Sequence, residues 1–366
     1  MKIAYIGLRA LPYAQGGFER ATEEIGSRLA QRGHEIIAYV RPKYQTLEDT
    51  HYKGITLIKI PTIYSKHLET ITYAFFATID LVIRPKGVDI VHFHGIGTSL
   101  FSFFPRIRNM RSVVHHHAQD YRRTKWGVFA RIFLKFSELC AVYFPDRTIV
   151  VSRCLETYCR ERFRKTAQYL PIGVYPGIKK DPNRIKAWGL STDSYLLFVS
   201  RLVPEKGCHY LLEAFKNIMT DKKLAVVGMS SYTDAYAATL RKTEDPRVLF
   251  LGHVDEDTLE ELYGNAYLFI QPSEIEGLAQ SVLTAASFAT CVLTSDIPEN
   301  LEPLGAFGFC FRNKDPKDLQ RVIEYLLRNP RIVREQGEKA REHVLKNYNW
   351  DKTIDRLEEI YSGLLG

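Results

Sequence analysis

Short apolar runs rich in β-branched and aromatic residues alternate with longer segments of helical periodicity along the whole chain. The runs in the first half are KIAYI, EIIAYV, ITLIKI, DIVHFH, RSVVHHH and TIVVS, and those in the second half are YLLFVS, KLAVVG, RVLFLG, YLFIQ and CVLTS. Strands separated by connections of helix length form parallel sheets with helices on both faces. The pattern therefore predicts an α/β protein with doubly wound sheets.

Proline and glycine residues cluster in LPIGVYPGIKKDPNR, between the two sets of predicted strands. Such clusters mark loops and linkers, and a chain of 366 residues exceeds what one hydrophobic core usually organises. We therefore expect a first domain over residues 1–172 and a second over residues 173–345. The amphipathic segment 346–366 is expected to form a helix that crosses back onto the first domain.

Basic residues are concentrated in the first half of the chain. Residues 1–175 contain 26 Lys and Arg against 14 Asp and Glu, whereas the whole chain contains 50 against 42. A basic surface suits nucleic acid, an anionic membrane or a phosphorylated substrate, and it also occurs as ordinary solvated charge. No recognisable nucleic-acid module accompanies it, so nucleic-acid binding is not expected.

The sequence shows neither a recognisable targeting signal nor a cysteine motif typical of metal binding. The most apolar segment, TYAFFATIDLVIR, contains Asp80 and ends at Arg84, which leaves it too short to span a membrane. MKIAYIGLRALPY is better explained as a first strand and its loop than as a signal peptide. The six cysteines have no CxxC spacing and are expected to be buried free thiols. We expect a cytoplasmic protein.

The first predicted strand is followed by GLRALPYAQGGFERATEEIGSRLAQRGHE, in which Gly16 and Gly17 precede a helix that begins near Phe18. Glycines at this point allow a ligand to approach the backbone, and the N-terminus of a helix attracts anions. A plain flexible loop explains this segment equally well. Because GxGxxG is missing, a dinucleotide oxidoreductase is not favoured.

Two cations lie between a predicted strand and a predicted helix in FVSRLVPEKGCHYLLEAF, at Arg201 and Lys206. Fixed positive charge beside the N-terminus of a helix suits a diphosphate, because it offsets the charge that develops on a leaving phosphate. Ordinary surface charge on a loop is the alternative explanation.

Three consecutive histidines occur in VVHHHAQDYRRTKW. Neighbouring side chains of a strand point to opposite faces, so these three are not expected to chelate one metal ion. His117, at the end of the predicted strand, is able to hydrogen-bond a substrate hydroxyl. The loop that follows supplies further polar groups, which are Asp120, Arg122, Arg123 and Lys125.

An ordered set of motifs runs through the chain: GGFE, the HxxD stretch that begins at His117, RLVPEKG, FLGHVDEDTLEELYGNA and PSEIEGL. Together they resemble the family 4 glycosyltransferases of the GT-B fold, which include many bacterial envelope and capsule sugar transferases. The resemblance implies two Rossmann-like doubly wound domains with a cleft between them. The first would bind a glycan or lipid-diphosphate-linked acceptor, and the second a nucleotide-diphosphate sugar, with a UDP-sugar preferred. It also implies transfer of a hexose with retention of anomeric configuration, without a metal or a cofactor.

The same resemblance implies roles for individual residues. Arg201 and Lys206 would hold the donor diphosphate, Glu276 would hydrogen-bond the hydroxyls of the sugar, and His117 would face the transferred sugar. These four are the expected catalytic residues. Further donor-binding positions would be Gly16, Gly17, Gly277, Leu278, Ala279 and Thr284, and the acceptor-side positions would be Asp120, Arg123 and Lys125.

The sequence departs from the family pattern on the donor side. Thr284 stands where a second glutamate usually holds the nucleotide ribose, and Ala279 replaces the usual glycine of a turn. Ile172 and Ala289 replace residues that are commonly Asn and Gly. Two functions therefore stay open: an active hexosyltransferase with altered nucleotide recognition, and a catalytically impaired, transferase-like binding or partner subunit.

The segment SLFSFFPRIRNMR places four apolar side chains beside three arginines in the basic half of the chain. Aromatic residues with adjacent cations suit a membrane interface, where a lipid-diphosphate acceptor would be found. We therefore expect a peripheral location on an anionic inner membrane face. A core helix with a solvated basic end is the alternative. The residues concerned are Leu100, Phe101, Phe103, Phe104, Arg106, Arg108 and Arg111.

Overall fold

A computed structural model describes residues 1–12, 17–65, 68–84, 87–124, 126–230 and 234–366. The chain forms two compact units. Unit 1 comprises Met1–Gly173 together with Trp350–Gly366, and unit 2 comprises Val174–Asn349. The C-terminal segment of unit 1 begins at Trp350 rather than at residue 346, because the last helix of unit 2 continues to Asn347.

Unit 1 contains a sheet of eight strands within the described residues, in the order β3-β4-β2-β1-β5-β6-β7-β8. All neighbouring strands are parallel except β3 and β4. The strands are β1 (Lys2–Ile6), β2 (Glu35–Val40), β3 (His51–Tyr52), β4 (Ile55–Lys59), β5 (Ile90–His94), β6 (Arg111–His116), β7 (Arg147–Val150) and β8 (Gln168–Tyr169). The first four helices are α1 (Gly17–Gln31), α2 (Glu69–Ile83), α3 (Val128–Tyr143) and α4 (Arg153–Phe163).

The two faces of this sheet differ in chemistry. Alternate residues of β5, Val91 and Phe93, join a buried apolar cluster that includes Tyr73 and Ala77 of α2. The intervening residues of β5 are histidines and point to the other face, because side chains of a strand alternate. One face of the sheet is therefore an ordinary hydrophobic core, whereas the other contains buried imidazoles.

Unit 2 contains a parallel sheet of six strands within the described residues, in the order β11-β10-β9-β12-β13-β14. The strands are β9 (Tyr195–Val199), β10 (Lys223–Val227), β11 (Val248–Gly252), β12 (Leu268–Gln271), β13 (Val292–Ser295) and β14 (Phe309–Phe311). The helices are α5 (Cys208–Lys216), α6 (Asp234–Leu240), α7 (Glu256–Asn265), α8 (Gln280–Ser287), α9 (Pro298–Leu301), α10 (Pro316–Arg328) and α11 (Pro330–Asn347).

The order of strands in unit 2 fixes where its loops meet. β9 and β12 are parallel neighbours, with Leu196 opposite Leu268. The loops that follow the two strands therefore emerge side by side at the carboxyl edge of the sheet, which is where open α/β sheets bind ligands. A buried apolar cluster beneath this edge, which includes Phe198, Ile270 and Phe215, holds the strands and helix α5 together.

The terminal helix α12 (Trp350–Leu365) packs within unit 1. Arg28 of α1 and Arg32, the residue after the helix, form ion pairs with Asp351 and Asp355 at 2.8 and 2.6 Å. Tyr361 is fully buried and its hydroxyl lies 2.5 Å from Nδ1 of His92 on β5. Charged residues at the surface and a tyrosine in the interior thus attach α12 to the sheet face that carries the histidines.

All six cysteines are free, as expected, but their burial is uneven. Cys140, Cys159, Cys208 and Cys291 are buried, whereas Cys154 is half-buried and Cys310 is exposed. The expectation that the thiols are buried is therefore wrong for Cys310. That residue lies on the short strand β14, which is an edge strand of its sheet among the described residues.

Ala289, in the turn between α8 and β13, has a φ angle of 61°. A left-handed φ costs a non-glycine residue about 1–2 kcal/mol. Replacement by glycine removes this strain, but the greater backbone entropy of glycine in the unfolded chain cancels part of the gain. We therefore expect Ala289→Gly to stabilise unit 2 by roughly 0.5–1 kcal/mol and to raise its unfolding midpoint by about 1–4 °C. Scanning calorimetry checks this. The control Ala238→Gly, at an exposed position of α6, should instead destabilise by about 1 kcal/mol.

Candidate active site

The loop after β9 contains the two cations that the sequence singles out. Arg201 is the second residue after the strand and is half-buried, and Lys206 ends a short 3-10 turn before α5. Gly207 has a φ of 70°, and a Cβ atom there would lie 1.9 Å from the carbonyl oxygen of Pro272. Only glycine fits this position, so the backbone of the cationic loop lies directly against the loop that follows β12.

The loop after β12 brings Glu276 to Lys206. Oε1 of Glu276 accepts a hydrogen bond from Nζ of Lys206 at 2.5 Å and one from Nε2 of Gln271 at 2.9 Å. The side chains of Lys206 and Glu276 are only 14% and 8% exposed. Burial by itself would raise the pKa of Glu276, but the Lys206 ammonium and hydrogen bonds from Lys206, Ser273 and Gln271 hold that pKa below its ordinary value. Glu276 is therefore an ionised hydrogen-bond acceptor.

A buried polar network is connected to Glu276 through the side chain of Gln271. Nδ2 of Asn300 donates to Oγ of Ser295 at 2.9 Å and to Oγ of Ser273 at 3.2 Å. Ser295 donates in turn to the carbonyl oxygen of Ser273, and Gln271 contacts Ser273 at 3.3 Å. All four of these side chains are fully buried. Because a buried polar network restricts each of its members, the carboxylate of Glu276 has a fixed position.

The segment between Glu276 and α8 presents backbone groups to the same edge of the sheet. Gly277, Leu278 and Ala279 are buried, and Ala279 is the N-cap residue of α8, where no side chain forms a capping hydrogen bond. Ala279 has a φ of −77°, so the replacement of the family glycine introduces no left-handed strain. The first amide groups of a helix lack partners within it, and such groups suit an anion.

Thr284 lies on the second turn of α8 and is half-buried. Its hydroxyl donates to the carbonyl oxygen of Gln280 at 3.0 Å. The hydroxyl therefore bonds within its own helix, and the position has no carboxylate with which to accept hydrogen bonds from a ribose.

In unit 1, the predicted residues lie beyond the carboxyl ends of β1 and β6. The His117 ring packs edge-on against Phe18 of α1, with centroids 4.5 Å apart. Burial, followed by the neighbouring histidines, lowers the pKa of His117 well below its ordinary value, so the ring is neutral. Asp120 forms an ion pair with Arg123 at 2.9 Å. Gly17 is the exposed first residue of α1, whereas Gly16 and Lys125 lie outside the described residues.

Comparison with known proteins decides the family. A family model described as glycosyl transferases group 1 matches residues 181–343, and one described as Glycosyltransferase Family 4 matches residues 15–176. The chain belongs to glycosyltransferase family 4. The resemblance inferred from the sequence motifs is thus confirmed over most of the chain.

Relatives of this family 4 glycosyltransferase match nearly its whole length. An uncharacterized glycosyltransferase of Methanocaldococcus jannaschii is 22% identical over 366 residues, which cover 96% of each chain. Sucrose-phosphate synthase of Thermosynechococcus elongatus has a TM-score of 0.86 at 20% identity, over 100% of this chain and 99% of that one. HepE of Anabaena, solved with UDP-glucose, has a TM-score of 0.81 at 16% identity, over 99% and 100%. The predicted GT-B fold, with Rossmann-like units, is confirmed.

Two features of the glycosyltransferase are not evident from its motifs. The buried network of Gln271, Ser273, Ser295 and Asn300 joins β12, the loop that follows it, β13 and α9. Its only sequence signal is a polar residue at the end of each of the two buried strands. The second feature is a row of exposed apolar side chains on α3.

Within the parts of the chain that the structure describes, every helix is too short or too polar to span a lipid bilayer.

Proposed function

We propose that this glycosyltransferase moves a hexose from a nucleotide-diphosphate sugar, preferably a UDP-sugar, to a glycan or lipid-linked acceptor with retention of anomeric configuration. The observation that carries the proposal is the buried Lys206–Glu276 pair at the carboxyl ends of β9 and β12. It joins a cation suited to a diphosphate and an ionised carboxylate suited to sugar hydroxyls. The complex of HepE with UDP-glucose, a structure of the same fold, supports the choice of donor.

The proposed reaction needs little covalent chemistry from the protein. As the bond between sugar and phosphate breaks, negative charge develops on the leaving diphosphate, and Arg201 and Lys206 offset that charge. The leaving phosphate oxygen accepts the proton of the attacking hydroxyl on the same face of the sugar. Glu276 orients the sugar through its hydroxyls. No side-chain general base is required, and Asp120 is already paired with Arg123.

Product stereochemistry tests the proposed mechanism directly. The full-length protein is incubated with α-linked UDP-hexoses and with vesicles that contain a polyprenyl-diphosphate-linked sugar, and the product is examined by NMR. A product with an α-anomeric coupling constant is expected. A β-linked product would overturn retention, and the absence of transfer from every nucleotide sugar would favour a binding or partner subunit.

The alternative function, a binding or partner subunit, is favoured by one observation on the donor side. The Thr284 hydroxyl bonds to the carbonyl oxygen of Gln280 and supplies no carboxylate for a ribose. A protein that binds nucleotide sugars weakly and acts through a partner would have no need of that carboxylate. A buried ion pair stabilises a protein no more than apolar residues of similar size would. The presence of the buried Lys206–Glu276 pair therefore favours the active transferase.

We further propose that unit 1 docks on an anionic membrane through α3. The exposed apolar residues of α3 recur at helical spacing, and Phe129 is 90% exposed. Arg131 and Lys135 on the same helix are also exposed, and the net positive charge of residues 1–175 complements an anionic lipid surface. In the segment proposed from the sequence, Phe103 and Phe104 are exposed, while Leu100 and Phe101 are half-buried. The apolar α3 residues are Val128, Phe129, Ile132, Phe136, Leu139 and Tyr143.

Liposome sedimentation measures this docking. The wild-type protein should co-sediment with anionic vesicles, less with neutral ones, and less as salt increases. The double variant Phe129→Ser/Ile132→Ser should weaken binding at least tenfold, because each apolar side chain withdrawn from lipid removes on the order of 1–2 kcal/mol. Ile178→Ser, an equally exposed position in unit 2, is the control and should bind as the wild type does. Equal recovery with neutral and anionic vesicles would exclude the proposal.

A further inference from the structure

A column of histidines lies inside unit 1, on the face of the sheet that packs toward α1 and α12. His92 and His94 are two residues apart on β5, and their rings stack with centroids 4.2 Å apart. His115 comes from the neighbouring strand β6, where it is paired in register with His94. One ring nitrogen from each of the three lies within 4.8 Å of the other two. The three side chains are 0%, 2% and 0% exposed, respectively.

Most of the ring nitrogens in this group have no hydrogen-bond partner among the described residues. They are Nε2 of His92, both nitrogens of His94 and both nitrogens of His115. Leaving a buried polar atom unsatisfied costs about 1–3 kcal/mol, so folded proteins rarely contain several together. A cluster of five such atoms indicates that something besides the protein satisfies them.

All three imidazoles are buried, and burial disfavours the protonated form of a histidine. Burial lowers the pKa of His92 and of His94 well below the ordinary value, and it lowers the pKa of His115 to about 3. Neutral rings offer a nitrogen lone pair, whereas protonated rings have none.

We propose that His92, His94 and His115 form a binding site for one borderline divalent transition-metal ion, most suitably Zn²⁺. Imidazole is a preferred ligand of Zn²⁺, and three histidines with an open fourth position form a known zinc-binding set. A triangle with sides of 4.8 Å has its centre about 2.8 Å from each corner, so modest side-chain rotation brings the nitrogens to the Zn–N distance of about 2.0–2.1 Å.

A contact outside the ligand set orients the first histidine. Nδ1 of His92 lies 2.5 Å from the hydroxyl oxygen of Tyr361 on α12. When that nitrogen carries the proton and donates to Tyr361, Nε2 is left with the lone pair that binds the ion. Such a partner for the second ring nitrogen is usual for histidines that bind metals. The site thereby links β5, β6 and the terminal helix, which assigns the ion a role in holding unit 1 together.

None of the three proposed ligands is a residue of the proposed transfer chemistry, although the ring of His115 lies beside that of His117, with centroids 4.1 Å apart. The ligands belong to unit 1, whereas Arg201, Lys206 and Glu276 belong to unit 2. His116, between His115 and His117 in sequence, points to the opposite face and bonds Glu138 at 3.0 Å. His116 is therefore a matched control, because it is a buried histidine of the same strand that is not part of the cluster.

Cobalt substitution tests the proposal with the full-length protein, produced without a polyhistidine tag. Cells are grown in Co²⁺-supplemented minimal medium, so that the ion enters as the chain folds, and the purified protein is treated with EDTA and desalted. Mass spectrometry of the metal should give about one cobalt ion per chain, and the visible spectrum should show ligand-field bands of nitrogen-bound cobalt. His94→Asn and His115→Gln should lose the ion, whereas His116→Gln should retain it.

Two outcomes would overturn the proposal. One is wild-type protein that retains no ion after EDTA, which would mean that buried water or nothing satisfies the imidazoles. The other is His115→Gln protein that retains as much cobalt as the wild type. If the variants do not fold, the wild-type content and spectrum decide alone. Because the readout is metal content, failure here leaves the proposed sugar transfer intact, and an inactive transferase leaves the metal site intact.

Discussion

Replacement of Lys206 by methionine is expected to lower the rate of sugar transfer by about 10²–10³-fold, the range found when one group that stabilises developing charge is removed. Methionine keeps the apolar stem of the side chain but removes the ammonium that would face the leaving diphosphate. Affinity for UDP should fall by roughly 10- to 100-fold, as one charged hydrogen bond of about 1.5–3 kcal/mol is lost. Product formation and calorimetric titration with UDP measure the two effects.

Two further variants separate loss of chemistry from loss of stability. Lys206→Met alone leaves the buried Glu276 carboxylate without its cation, which is destabilising. Lys206→Met/Glu276→Gln removes that unpaired charge, so it should regain thermal stability without regaining transfer. Lys216→Met removes an exposed lysine of α5 and should leave UDP affinity unchanged. UDP affinity that is equal in wild-type and Lys206→Met protein would rule out the diphosphate role.

Periodicity alone was sufficient to predict most strands. Each of the eleven apolar runs contains a strand of one of the two sheets, because buried parallel strands need continuous β-branched and aromatic residues. The strands that the pattern did not predict, β3, β8 and β14, have only two or three residues and lie at or near sheet edges. Strands this short bury too few side chains to leave a periodic signal.

The residues of the candidate site were predictable where one sequence motif contains them. They were less predictable where their position depends on contacts between segments that are distant in the sequence. RLVPEKG and PSEIEGL mark the loops of Lys206 and Glu276, but the close approach at Gly207 and Pro272 follows from β9 and β12 being neighbours. The role of Asn300 depends on the same topology. Strand order is a property of the folded sheet, so no local pattern reveals these contacts.

The histidines show the same division between local and tertiary information. Alternation along β6 correctly predicts that His115 and His116 point to opposite faces. It gives no sign that His115 meets His92 and His94, which precede it by about twenty residues. That contact arises because β5 and β6 are parallel neighbours, in a register that places His94 opposite His115.

The departures from the family pattern have different structural consequences. Ala279 adopts a φ of −77° and needs no glycine, whereas Ala289 keeps a left-handed φ of 61°. The turn before α8 therefore needs no left-handed residue, whereas the turn after it has the backbone conformation that favours glycine. Thr284, on the helix between them, is then the departure that changes the chemistry offered to a nucleotide.

Thr284→Glu is accordingly expected to tighten the binding of UDP by roughly 10- to 100-fold, since a carboxylate at this position would accept charged hydrogen bonds of about 1.5–3 kcal/mol from the ribose. The substitution sacrifices only the bond from the Thr284 hydroxyl to the Gln280 carbonyl oxygen. Calorimetric titration of wild-type and variant protein with UDP, GDP, ADP and dTDP measures the gain. It should vanish with a uridine diphosphate that lacks both ribose hydroxyls.

Gln280→Glu is the control for charge, because it adds a carboxylate one turn earlier on α8 without replacing Thr284. This carboxylate would lie near the first amide groups of the helix, which suit an anion, so it should weaken the binding of UDP by repulsion between like charges. Opposite effects of the two substitutions would identify position 284 as the ribose contact. If Thr284→Glu tightens none of the ribonucleotides, the ribose assignment is wrong and the binding or partner subunit becomes the favoured function.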